Sequence, residues 1–318
     1  VSPVARNIAV TGATGFIGKH LLNALLRHPQ NNIRALARRI PEEASQTDQL
    51  QWIIGSLDDR AALETLLVPD CVLVHLAYPG QWKDQAHLDA TRQLAETSAR
   101  RGVSRVVHCS TATVVGRVAD ARVSERTRTN PYTRYEINKL AIENLWLDHA
   151  KGFDLVIARP AAVFGPGGKN LLKLANALLY GNRRVNYLRS CLYADRQMNL
   201  VAVENVVTAL ELMIGREIPF EGKIFNISDD DDPLNRFCNV ELLLMQGLGL
   251  RYYDTPPVKM PRLILKGLLC AAGVSNINPG RRYDSSALRS IGWSNACGLE
   301  EGVARFATSF LAGTTSTS

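Results

Sequence analysis

The six cysteines (Cys71, Cys109, Cys191, Cys238, Cys270, Cys297) are scattered over 318 residues without a Cys-x-x-Cys pair. That spacing excludes a zinc ribbon and a dithiol redox motif. It predicts free thiols, several of them buried in apolar runs, and a reducing, cytoplasmic compartment. The six histidines never recur at i, i+3 or i, i+4, so no metal site is expected. No apolar run reaches the ~20 residues that a membrane helix needs. The nearest approach, Leu263–Val274, is interrupted by Lys266 and reads as a core-facing helix. Val4 to Val10 leads straight into a turn motif, so no secretory leader is read there. Internal repeats are also missing.

Charge is present in modest excess of one sign. Lys and Arg number 37 against 30 Asp and Glu, a net charge of +7. The excess suits an anionic small molecule. The basic residues are scattered and form no aromatic-basic stripe, so nucleic acid is not expected. A composition of 46% hydrophobic and 21% charged residues fits a soluble α/β protein of one large domain or two.

Asn7-Ile8-Ala9-Val10 is a short apolar run that ends at Thr11-Gly12-Ala13-Thr14-Gly15-Phe16-Ile17-Gly18. Leu21, Leu22, Leu25 and Leu26 then recur at helical spacing. Strand, glycine-rich turn and helix together predict a pyrophosphate site, because glycines let a phosphate approach the backbone at a helix N-terminus. After the second strand, Asn32–Ala37, a site preferring NAD usually carries an acid for the ribose 2′-hydroxyl. Arg38-Arg39 stand there instead. A guanidinium can grip a 2′-phosphate with paired hydrogen bonds, so NADP(H) is favoured, with NAD(H) still open. Strands and helices alternate onward through Val72–Ala77, a helix over 83–101 and Arg105–Cys109, which predicts a doubly wound parallel sheet of Rossmann type. Ser110, Thr111 and Thr113 place hydroxyls at a strand's carboxyl end, where open α/β sheets bind ligands.

Tyr135 and Lys139 are four residues apart in a segment free of Gly and Pro. On a helix both side chains share one face. An ammonium beside a phenol favours the phenolate, so Lys139 is expected to lower the Tyr135 pKa and make it a usable acid or base.

These motifs, in this order, resemble the extended short-chain dehydrogenase/reductases, the NAD-dependent epimerase/dehydratase family. The resemblance rests on Thr11–Gly18, His75-Leu76-Ala77, Ser110–Thr113, Tyr135-x-x-x-Lys139, Arg159-Pro160-x-x-Val163-Phe164-Gly165-Pro166 and Asn199–Val207. It covers residues 7 to about 228, with a looser match at Tyr283–Leu288 and Leu299–Gly302. It implies that Tyr135 is the general acid/base, that Lys139 holds the nicotinamide ribose, and that Thr111, assisted by Ser110 or Thr113, bonds the reacting oxygen. Gly12, Thr14, Gly15, Phe16, Ile17, Gly18, Leu76, Ala77, Pro160 and Val163 would contact the dinucleotide. Ser56 stands where the family has an adenine-contacting Asp, and Asp58 follows two residues on. Ala112-Thr113 replace the Asp-Glu pair of the 4,6-dehydratases, so dehydration is not implied. Met198 occupies the slot of a diphosphate-binding basic residue, which leaves Arg183, Arg184, Arg189 and Arg196 as candidates for the substrate.

The expected division is a Rossmann domain of residues 1–166 and 198–228 and a substrate lobe of 167–197 and 229–312. The tail 313–318 is expected to be disordered. Asp229 to Asp232 read as a solvated turn. The leading activity is an NADP(H)-dependent 4-keto reductase of a nucleotide-activated sugar. Alternatives are an NAD-dependent 4-epimerase, a carbonyl reductase of steroid or flavonol type, and a dinucleotide-binding redox sensor. A homodimer through the helices at 83–101 and 135–150 is expected, since the second carries more apolar residues than one buried face needs.

Overall fold

The computed structural model describes residues 6–42, 47–81 and 83–315. The strands are β1 (Arg6–Thr11), β2 (Asn31–Ala37), β3 (Leu50–Ile54), β4 (Val72–His75), β5 (Arg105–Cys109), β6 (Arg122–Val123), β7 (Asp154–Pro160), β8 (Ala162–Phe164), β9 (Leu200–Ala202), β10 (Lys223–Ile227) and β11 (Arg282–Tyr283). The helices are α1 (Phe16–Leu25), α2 (Arg60–Leu66), α3 (Asp84–Arg100), α4 (Arg134–His149), α5 (Leu172–Tyr180), α6 (Arg183–Tyr193), α7 (Val203–Gly215), α8 (Phe237–Gly247), α9 (Arg262–Ala271), α10 (Ser286–Arg289) and α11 (Leu299–Thr315).

Seven strands form one sheet in the order β10-β7-β5-β4-β1-β2-β3. Pairing is parallel from β3 through to β7. Every residue of β4 and β5 is buried, as expected of strands covered on both faces. Strand order reverses at β1, between β2 and β4. That reversal opens a crevice at the carboxyl ends of β1 and β4, the place where open α/β sheets bind ligands.

The chain separates into two compact units. The first holds the described residues through Thr111 together with Arg134–Arg159 and Val207–Phe225. Its core includes Leu63, Leu73, Leu94, Val106, Trp146 and Leu155. Asp59 starts α2 by accepting a hydrogen bond from the Ala62 N–H at 3.1 Å, an N-cap for an otherwise orphaned donor.

The second unit holds 112–133, 160–206 and 226–315 of the described residues. Its core is built on Phe164, Leu174, Leu244, Val303 and Phe306. Two short parallel pairs, β8 with β9 and β6 with β11, lie within it.

Three sequence expectations change here. Asp229 and Asp230 are each only 1% exposed, so the first half of the acid run is not solvated, while Asp231 is exposed in the turn as expected. Asp230 accepts from the Tyr283 N–H (2.7 Å) and from the amides of Asn199 (2.7 Å) and Asn235 (3.1 Å). Asp229 accepts from the Ala202 N–H and the Asn205 amide, both at 2.9 Å. Buried carboxylates survive when such donors replace water, and sequence shows none of those partners. Segment 263–274 faces the core through one stripe alone: Leu265 and Leu269 of α9 are buried, whereas Leu263 is 83% exposed. Gly313–Thr315 continue α11 rather than fraying, while 316–318 lie outside the described residues. The thiols stand as expected: all six are free and Cys71, Cys109 and Cys297 are buried, with Cys270 exposed.

One buried ion pair anchors the helix that carries the candidate catalytic residues. Arg159 on β7 grips Glu143 on α4 through Nε (3.0 Å) and Nη2 (2.5 Å). The two side chains are 6% and 1% exposed. Removing one member leaves the other charge buried and unpaired, which costs about 3–5 kcal/mol. Glu143→Ala should therefore lower the urea midpoint by that equivalent with the m-value unchanged. A midpoint within error of wild type would show that the pair is dispensable.

Candidate active site

The glycine turn after β1 is shaped by two close approaches. Gly12 has φ +75°, and a Cβ there would lie 2.6 Å from the Ala77 backbone nitrogen. A Cβ on Gly18 would lie 2.2 Å from the Gly12 carbonyl oxygen. No other residue fits either position without moving backbone. Gly15 is the N-cap of α1 and offers no side chain to the first turn, so those N–H groups are available to an anion.

A cavity of about 300 Å³ opens on this turn. Its walls come from the ends of four strands: Gly12, Thr14 and Gly15 after β1, Arg38 after β2, Ser56 after β3, and Leu76 and Ala77 after β4. Phe16 and Ile17 follow as the first, half-buried residues of α1. Arg38 is exposed at the cavity wall, and among the described residues it makes no ion pair. Arg39, also exposed, does not line the cavity. Asp58 lies off the wall too and accepts a hydrogen bond from the Ser56 hydroxyl.

Tyr135 and Lys139 occupy the first turns of α4. The Tyr135 hydroxyl is hydrogen-bonded to Thr111. Although the residue is 45% exposed, its phenol is pushed up to about 12, chiefly by burial and then by the neighbouring Cys109 and Tyr78. The expected lowering by Lys139 is not seen. The Lys139 ammonium instead donates to the Cys109 carbonyl at 3.2 Å and sits 4.6 Å from the Tyr78 ring centre. Burial lowers its own pKa. Helical spacing put both residues on one face, but tertiary neighbours decided where the ammonium points. Ser110 is buried, and its hydroxyl has no hydrogen-bond partner among the described residues.

Sequence reading passed over Tyr78, which follows His75-Leu76-Ala77 directly. It lines the cavity, accepts a hydrogen bond from the Asn138 amide at 3.0 Å, stacks on His87 at 4.2 Å and meets Tyr135 edge-on at 5.4 Å. Its place three residues beyond the carboxyl end of β4 was the available signal. Its setting before Pro79-Gly80 made it look like an ordinary loop residue. Behind the site, His75 shares a 2.7 Å hydrogen bond with the Thr11 hydroxyl and stacks on His108. Burial holds both imidazoles neutral: His75 falls to about 3, and His108 lies well below its usual value.

The remaining candidates belong to the second unit. Thr113 lies in the 3-10 turn Ala112–Val115, Pro160 at the end of β7 and Val163 in β8. Arg183 and Arg184 line a separate cavity of about 790 Å³ with Tyr187 and Tyr253. Arg183 already donates to the carbonyls of Arg251 (2.8 Å) and Tyr252 (2.5 Å). Arg196 is not part of that wall; its guanidinium lies 5.4 Å from the Tyr193 ring centre.

Residues 8–228 match the family model described as the NAD dependent epimerase/dehydratase family. The chain belongs to that family. It is thereby an extended short-chain dehydrogenase/reductase. Relatives within the family include a UDP-glucose 4-epimerase of Vibrio cholerae, 24% identical over 96% of each chain. Another is sterol demethylase protein B of Methylococcus capsulatus, 32% identical over 49% of this chain and 51% of the relative. The chain thus spans about half the length of that curated relative, and 57% and 60% of two others. Among solved structures, MoeE5 in complex with UDP-glucose and NAD has a TM-score of 0.66 at 25% identity, covering 97% of this chain and 99% of that one.

Proposed function

We propose that this chain is an NADP(H)-dependent oxidoreductase acting on a carbonyl or carbinol carbon of a nucleotide-activated sugar, a 4-keto reductase. The observation that carries the reading is the Tyr135 hydroxyl hydrogen-bonded to Thr111, with Lys139 one helical turn away. The cradle fits a dinucleotide: Gly12 and Gly18 have no room for a Cβ, and the first turn of α1 is uncapped. Gly12, Thr14, Gly15, Phe16, Ile17 and Gly18 would hold the pyrophosphate, Leu76 and Ala77 would flank it, and Arg38 would hold a 2′-phosphate. Pro160 and Val163 are the candidates beside the nicotinamide. The chemistry a bound nicotinamide supplies is hydride donation or acceptance.

The chain's own part is the proton. With its phenol near 12, Tyr135 carries a proton at neutral pH and can give it to a substrate oxygen. Thr111 fixes the hydroxyl's position, and the Ser110 hydroxyl, without a partner among the described residues, is available to the same oxygen. The sugar-nucleotide class draws on the likeness to the Vibrio cholerae epimerase over 96% of both chains. That likeness also favours a second reading, an NAD-dependent 4-epimerase.

The two readings separate in one assay. A reductase consumes NADPH stoichiometrically with a nucleotide 4-ketosugar. An epimerase interconverts two nucleotide sugars with no net cofactor consumption and releases NAD on denaturation. Neither outcome, with turnover of a hydrophobic ketone instead, would reject the sugar substrate.

A homodimer through α3 and α4 belongs to the same proposal. Ile142, Leu145 and Trp146 are buried within the first unit, but Ile137 and Leu147 remain 53% and 41% exposed on α4. Ile137→Asp together with Leu147→Asp should convert a dimer to a monomer by light scattering. A monomeric wild type at micromolar concentration would remove the proposal.

A further inference from the structure

Helix α9 breaks the usual link between apolarity and burial. Among its ten residues (RLILKGLLCA) only Leu265 and Leu269 are buried. Leu263, Ile264 and Leu268 are 83%, 52% and 48% exposed, and Val258 on the approach is 70% exposed. A helix that is apolar nearly all round is normally a core helix. Here the i, i+4 pair Ile264 and Leu268 flanks the buried Leu265–Leu269 stripe about 100° round the helix, and Leu263 projects from the far side. Arg262 and Lys266, also i, i+4, form a basic strip on the other flank of the buried stripe, and both are exposed.

The charge carried by this segment has one sign. From Thr255 to Tyr283 the chain contains no Asp or Glu. Lys259 is neutralised by Asp195 at 3.0 Å. Among the described residues neither Arg262 nor Lys266 has an ion pair. A two-fold pairing of copies through this helix would set Arg262 and Lys266 against their own counterparts, which argues against a second copy as the occupant. An anionic lipid surface answers both features, because exposed leucines partition into the acyl boundary while cations meet the headgroups.

We propose that α9 is an interfacial helix that seats the second unit on an anionic membrane surface. It lies on the surface without spanning it: no helix among the described residues is long and apolar enough to cross a membrane.

The test is co-sedimentation of the full chain with phosphatidylcholine vesicles, with and without phosphatidylglycerol, at low and high salt. Wild type should bind the anionic vesicles and release as salt rises. Replacing Leu263, Ile264 and Leu268 together by Ser should weaken binding by about tenfold or more. Arg262→Glu with Lys266→Glu, which leaves every apolar side chain in place, should abolish the preference for anionic vesicles. Circular dichroism and the thermal midpoint check that both variants fold. Wild type that ignores anionic vesicles at low salt overturns the proposal. So does binding that neither variant changes. A wild-type oligomer that the serine variant dissociates, with no vesicle binding, also overturns it and assigns the face to a second copy.

Discussion

Tyr135→Phe should reduce turnover by ~10²–10⁴-fold, the range expected when a positioned general acid is removed. Cofactor affinity should stay nearly unchanged, because only a hydroxyl is lost. The edge-on contact of the ring with Tyr78 at 5.4 Å is kept by Phe, so α4 should hold its place. The hydroxyl's hydrogen bond to Thr111 disappears, and Thr111→Ala should lower turnover in the same direction by less. The pH profile supplies a second readout. With the phenol pushed up to about 12, the proton-donating form dominates through neutrality. The free enzyme's kcat/KM for reduction should then be flat near pH 7 and fall only as pH climbs toward that value. The oxidative direction needs the deprotonated form and should rise over the same range. A Phe variant that keeps more than about a tenth of the wild-type rate would sink the assignment.

Arg38→Ser should remove most of a preference for NADPH over NADH. A charge-assisted hydrogen bond is worth roughly 1.5–3 kcal/mol, and about 1.4 kcal/mol is tenfold in affinity, so the preference should be on the order of ten- to a hundredfold. Arg38 lines the cavity at the end of β2, whereas Arg39 does not. The single Arg38→Ser change should therefore approach the effect of replacing both arginines. The loss should fall on NADPH, with NADH little affected, because the guanidinium has no 2′-phosphate to grip in NADH. Calorimetric titration of both cofactors against wild type, the Arg38 variant and the double variant decides it. Equal affinities in the wild type, or NAD carried through purification, would turn the reading toward the epimerase.

Local pattern was enough for the sheet and the turn. Strands such as Val72–His75 are continuous apolar runs because both faces are covered. Gly12 and Gly18 mark backbone approaches that a Cβ would block. Arg38 reached the cavity wall because its position is counted from the end of a strand, and strand ends are where this architecture opens. Each of these features depends on a few neighbouring residues, so it can be read along the chain.

Other features depend on partners far away in the chain, and local pattern cannot supply them. Asp229 and Asp230 look like a solvated acidic turn until Asn199, Asn205, Asn235 and the Tyr283 N–H arrive to bond them. Leu263 looks like a core residue until the second unit packs only Leu265 and Leu269. Tyr78 gains its place from Asn138, 60 residues on.

The sequence by itself determined the family, the parallel sheet, the glycine cradle and the four-residue spacing of Tyr135 and Lys139. All of these are short-range regularities of backbone period and turn chemistry. Only the tertiary structure decided the electrostatics of the site: the phenol raised by burial, the ammonium turned to the Cys109 carbonyl, and the Tyr78 ring set beneath it. Charge and proton affinity follow from what surrounds a group in three dimensions, and that surrounding is assembled from segments distant in sequence.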